Sequence, residues 1–294
     1  MGKRRTVVPL SVALLAVATP ASGEPAAPLV LTPSTPWNVD YDVESCRLQR
    51  VFGTGDDKVV LRLIQYGLEP PESMLVSGKG LAPGGSSKLV YSFEPHGVAP
   101  VGDSPMFGTD ADGIVTWQLS TQLLSPDIYK LDLEPVQLQQ RRTERLAQIR
   151  SFAITKGVKT PVRLELGSLV KPMAVMDACI DNLVRSWGLD PAVQRTRRAI
   201  PEPTKSPARW FRVEDYPTEL IRQNVSGRID FRLMVDASGE VTDCTLQGIY
   251  SDPKFKDVVC PLLTKRARFK PALDANGAPI ASFYQESVVF VTSG

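Results

Sequence analysis

Near the end of the chain, Ile229, Phe231, Leu233 and Val235 alternate with Asp230, Arg232 and Met234. A period of two is the mark of a half-buried strand. Asp236-Ala-Ser-Gly239 turns the chain, and Val241–Gln247 is expected to return beside that strand. Phe255, Val258, Val259, Leu262 and Leu263 fall instead at offsets of a helix face, with Asp252 as cap and Pro253 in the first turn. Pro261 lacks an N–H and is expected to kink this helix. A last strand is expected over about 283–291.

The earlier chain carries short strand-like runs at 45–52, 59–65, 87–93, 114–119, 151–155 and 162–166, divided by turn residues. One such turn, Asp110-Ala-Asp-Gly113, has a calcium-loop flavour, but residue 121 is threonine where a bidentate glutamate is required. It reads as a hairpin turn. Residues 137–149 suggest a polar surface helix. Leu169, Met173, Met176, Ile180, Leu183 and Trp187 form one apolar stripe, with Ser168 to cap the helix and Gly188 to end it. The fold class is therefore α+β: a mainly antiparallel β domain over 37–188 closed by a helix, then a small αβ domain over 208–294 with two helices on a three-stranded antiparallel sheet. Residues 189–207, rich in proline and arginine, read as a linker crossed by few contacts.

The first 23 residues change the picture of where the chain works. Lys3-Arg4-Arg5 precedes a short apolar run from Val7 to Ala18 and then small residues, as in a secretory signal peptide cleaved after Ala21 or Gly23. Residues 24–36 read as a flexible leader. The run is too short to span a bilayer comfortably, so the mature chain is expected in the periplasm without a stable anchor. Cleavage also removes three cations, turning 34 Lys+Arg against 32 Asp+Glu into 31 against 32. That balance excludes the basic footprint of a nucleic-acid binder. The local run Lys265, Arg266, Arg268 and Lys270 is read as a solvated face at a helix carboxyl end.

Export also bears on the four cysteines, Cys46, Cys179, Cys244 and Cys260. Four allow three connectivities; local placement favours Cys46–Cys179 and Cys244–Cys260, one bridge in each domain. With His96 the only histidine and no Cys-x-x-Cys, no metal site or other cofactor is expected.

The carboxyl-terminal pattern resembles the TonB carboxyl-terminal domain family. Its pieces are Asp215-Tyr-Pro217, Ser226-Gly-Arg-Ile-Asp-Phe-Arg-Leu233, Val235-Asp-Ala-Ser-Gly239, Arg266-Ala-Arg-Phe-Lys-Pro-Ala272, Asp274-Ala-Asn-Gly-Ala-Pro279 and Val288–Val291. The resemblance implies an envelope protein whose small domain reaches outer-membrane transporters, in the best-known members by pairing an exposed strand with a short transporter segment. Its departures weigh against force transduction while leaving strand pairing possible: the histidine-bearing membrane helix and long Pro-Lys/Pro-Glu linker of a full transducer are missing. An anchored energy transducer is the alternative.

The function expected is thus a binding or adaptor protein, not an enzyme. The partner is an envelope protein or a transporter peptide, added along Tyr284, Glu286, Val288, Val289, Phe290 and Val291; a homodimer through the same edge competes. A hydrolase built around His96 is the other class considered. It lacks a nucleophile elbow, and His96 sits in the loop-like Glu94-Pro-His-Gly97.

Overall fold

In the computed structural model the described residues are Gly2, 27–68, 73–85, 88–95, 106–121, Leu123, and 135–292 save Ser251. The expected signal peptide and cleavage site lie outside them, as does His96. Among the described residues, ten strands and two α-helices make up the first unit: β1 (Leu29–Leu31), β2 (Asn38–Tyr41), β3 (Cys46–Phe52), β4 (Val59–Gln65), β5 (Ser73–Gly78), β6 (Val90–Glu94), β7 (Met106–Thr109), β8 (Val115–Ser120), α1 (Pro135–Gln148), β9 (Ser151–Lys156), β10 (Val162–Glu165) and α2 (Val170–Ser186). They form a six-stranded sheet, β2-β3-β4-β5-β8-β7, and a four-stranded sheet, β1-β10-β9-β6. Every pair is antiparallel except β1 with β10. Inward residues of both sheets, including Leu48, Leu61, Leu63, Phe152 and Ile154, share one core with Met173, Met176 and Ile180 of α2. Burying such side chains contributes roughly 1.5–3 kcal/mol each before conformational entropy is charged against it.

Two expectations change here. Part of the expected leader is a strand: Leu29–Leu31 pairs in register with Val162–Leu164. Its apolar side chains and free backbone groups find a partner far along the chain, which composition does not reveal. α1 is also more than a surface helix. Arg142, 7 % exposed, makes a bidentate pair with Asp177 of α2 at 2.9 and 3.0 Å, and Leu146 is buried. A cation so far from water needs that partner.

The stretch expected as a linker is structured. α3 (Pro191–Arg195) starts at Asp190, whose carboxylate accepts from the Ala192 amide, and Arg195 reaches back to Asp181 of α2. β11 (Glu202–Pro203) pairs with β14 (Phe269–Lys270). Between them lie α4 (Thr218–Arg222), β12 (Gly227–Val235), β13 (Val241–Tyr250) and α5 (Lys256–Arg266); β15 (Ala272–Leu273), β16 (Pro279–Ile280) and β17 (Ser282–Phe290) follow. The sheet of this second unit runs β13-β12-β17, antiparallel throughout. Ile229, Phe231, Leu233 and Val235 face Leu220 of α4, Val259 and Leu263 of α5, and Trp210. Asp252 caps the start of the last helical segment, accepting from the Lys254 amide, and Pro261 lies within α5. Disulfides join Cys46 to Cys179 and Cys244 to Cys260.

The same turn closes three hairpins. In Asp110-Ala-Asp-Gly113, Asp236-Ala-Ser-Gly239 and Asp274-Ala-Asn-Gly277, the aspartate carboxylate accepts from the amides two and four residues on. Each glycine has positive φ. Short acceptor, small filler and αL glycine are what such a turn requires.

Candidate partner-binding edge

β17 lies at one margin of its sheet. It pairs with β12 from Gly227↔Phe290 to Val235↔Ser282, and with no other described strand. Tyr284, Glu286, Val288 and Phe290 stand opposite the inward residues Leu233, Phe231, Ile229 and Gly227, on the helix face. Phe290 is buried among Phe211, Tyr216 and Phe255. Tyr284 is half-buried between Trp210 and Phe269. Glu286 is exposed and accepts a bond from the Tyr284 hydroxyl at 3.4 Å. Val289 and Val291 are 61 % and 71 % exposed. Thus the structure brings the six residues together on one short segment, with Phe290 anchoring it and the two valines bare; Val291 itself lies just past β17.

Burial, with the Glu286 charge second, pushes the Tyr284 phenol up from 10 to about 12. The neutral phenol is thus favoured by folding. Its contribution to stability is full below the unfolded value near 10 and is lost as pH rises through about 12. Alkaline absorbance titration of the folded protein should show one tyrosine ionising last, near pH 12, and Tyr284→Phe should remove that step.

The opposite face of this strand is occupied. The Phe283 ring meets Trp187 at 5.0 Å edge-on and carries the Arg197 guanidinium at 5.2 Å. Gln285 donates to the Tyr66 carbonyl at 2.9 Å and to Gln247 at 2.8 Å. On β12, Arg232 is only 5 % exposed; it pairs with Glu44 at 3.0 Å, donates to Thr245 and lies 4.1 Å over Trp187. None of these contacts was legible in sequence, because Arg232 occupies a polar position of an alternating strand and reads as solvated. Phe283, an aromatic among the polar positions of β17, was the available signal.

The basic run at 265–270 is not a free cationic face. Arg266 forks onto Asp215 and the Trp210 carbonyl, Arg268 pairs with Glu240, and Lys270 with Glu202. Asp215 also accepts from the Arg212 amide. The Arg266 hydrogen bond, foremost, holds the Asp215 carboxyl below the usual range. Arg266 is the half-buried member that ties the second unit together, while Lys265, Arg268 and Lys270 are exposed. Near the hydrolase reading, Glu94 is engaged by Arg163 and Ser151, so that carboxylate is committed to an ion pair rather than free as a base.

These features define a disulfide-stapled α+β protein whose last unit offers a sheet margin. Residues 213–292 match the family described as Gram-negative bacterial TonB protein C-terminal. The carboxyl-terminal unit resembles that family in sequence over almost the whole of its sheet and helices. No curated protein matches the chain.

Proposed function

We propose that this is a periplasmic binding or adaptor protein, not an enzyme, that recognises an extended segment of an outer-membrane transporter or other envelope protein. The segment adds antiparallel or parallel to β17 between Glu286 and Val291. The observation that carries the reading is an unshared strand margin, uncharged from Val288 to Val291, with two exposed valines. Unpaired backbone groups supply affinity there, and alternate side chains supply selectivity. The TonB match supports the class of partner. Among the described residues no helix is long and apolar enough to cross a membrane; the charged start, short apolar run and small residues of the first 23 positions support a signal-cleaved form rather than an anchored transducer. Amino-terminal sequencing of the native protein should then begin near Ser22 or Glu24.

Adjacent residues of an edge strand direct their N–H groups alternately to the neighbour and outward. Val288→Pro and Val289→Pro, made separately in the full chain, therefore separate fold from recognition. One should destabilise the sheet; the other should leave it folded and weaken capture of the envelope partner at least tenfold. A second copy pairing through β17 would appear in the same experiment as a dimer lost in that variant. Unchanged capture and unchanged oligomeric state in a folded variant would rule the edge out.

A further inference from the structure

The three-stranded sheet has helices on one face only, so its other face would ordinarily meet water. Apart from Met234, Phe283 and Val289, the residues there on β12 and β17 fit that expectation: Arg228, Asp230, Arg232, Gln285 and Ser287 are polar. Yet the proximal part of the face is shut against the first unit. Arg232 finds both its countercharge and its aromatic platform there, in Glu44 and Trp187. Gln247 and Gln285 converge on the Tyr66 carbonyl. Gly67 follows at such close range that a Cβ on it would meet the Gln285 side chain at 2.2 Å. Gln194 of α3 donates to the Ala281 carbonyl and accepts from Ser282, closing the start of β17 from a third side.

We propose that the first unit is a reversible cover on the TonB-type sheet, latched by Glu44 and Arg232, which confines strand addition to the distal part of β17 and exposes Ala281–Gln285 when it opens. This rests on the reading of β17 as the recognition edge and adds its regulation.

Chemistry favours a device that opens over a fixed core. Apart from Phe283 and Trp187, the contact consists of groups that water can satisfy equally well when the surfaces part. Interfaces of that composition within one chain resemble transient ones and permit relative motion. Closure itself leaves Arg232 Nε and Trp187 Nε1 without an acceptor among the described residues. Burial also raises the Glu44 carboxyl above its ordinary range despite the facing Arg232. The latch is therefore specific in position yet shallow in depth, because the desolvation cost of a buried pair offsets much of its attraction. The distal segment escapes the cover: Val289 and Val291 are exposed while Phe283 and Ser282 are buried.

Hydrogen exchange on the full-length mature protein tests this without any partner. Glu44→Arg places two cations face to face. It should raise exchange at least tenfold at Ala281–Gln285 and Thr245–Gln247 while leaving the inward strand Ile229–Leu233 protected. The double reversal Glu44→Arg with Arg232→Glu should restore protection. No change at Ala281–Gln285 in the single variant would overturn the latch. Exchange rising together through both units, or outright unfolding of the single variant, would show one cooperative core and would overturn the cover. These outcomes are independent of the proline variants in β17, whose failure would instead remove the recognition edge.

Discussion

Replacing Cys46 and Cys179 together by alanine should lower the stability of the first unit by about 4–5 kcal/mol, the larger of the two disulfide effects. The bridge spans a sequence separation of 133 residues, against 16 for Cys244–Cys260. On the chain-entropy account the cost of an open unfolded chain grows with the logarithm of the loop, giving about 3 kcal/mol for the short bridge and nearly 5 for the long one. Packing works in the same direction. Both cysteines are buried, and they tie the start of β3 in the six-stranded sheet to the middle of α2, between Met176 and Ile180. Denaturant unfolding followed by circular dichroism should show the midpoint falling in the double variant, and a reducing agent should lower the parent by more than it lowers the variant, in which only Cys244–Cys260 remains to be cut. An unchanged midpoint after both replacements would mean that the apolar core alone holds α2 to β3.

That bridge was legible because its consequences are local: export, an even cysteine count, and one cysteine flanking an apolar helical stripe. Strands β3, β4, β8, β9, β10 and β12 were legible for a similar reason, since branched and aromatic residues recur along them. Where the apolar signal is thin, the chain hides its structure. β2, Asn38–Tyr41, is exposed except for half-buried Val39 and takes its conformation from pairing with β3. β5 places only Met74 and Val76 fully inward among serines and a glycine, so its short run looks like loop. Polar contacts between distant segments left no periodicity at all. The Arg142–Asp177 pair, the Arg266–Asp215 fork and the Glu44–Arg232 pair each join residues 35 or more apart, and each converts a charge that looks solvated into a tie between elements. The β17 segment itself was readable from its uncharged tail, but the burial of Phe283 and the bonding of half-buried Gln285 against the first unit were not.

Gly239→Ala should cost the second unit more than about 3 kcal/mol, because conformational strain and a backbone overlap act together there. Gly239 sits at φ +88°, where an L side chain alone costs about 1–2 kcal/mol. Space adds the rest. A Cβ there would lie 1.9 Å from the Phe269 carbonyl oxygen, a backbone atom that cannot swing aside. The contact is reciprocal, since the Phe269 amide donates to the Gly239 carbonyl at 3.0 Å. Relief therefore requires β14 to move, and with it the Phe269 ring, which packs on Trp210 at 5.6 Å and on Tyr284 of β17 at 4.9 Å. The Asp-Ala-Ser-Gly turn and the Arg-Phe-Lys exit of α5 are in this way two sides of one contact. Gly277 supplies the control: it closes the same kind of turn at φ +85°, but the nearest atom to its Cβ is Arg198 Nη1 at 4.0 Å. Gly277→Ala should lose only the conformational share, about 1–2 kcal/mol, and Gly277→Asn less, because asparagine tolerates the left-handed region. Gly239→Asn should remain as damaging as Gly239→Ala, since the overlap begins at Cβ. Thermal unfolding of the four variants decides it: if Gly239→Asn recovered as Gly277→Asn is expected to, backbone conformation and not the Phe269 contact would be what this glycine provides.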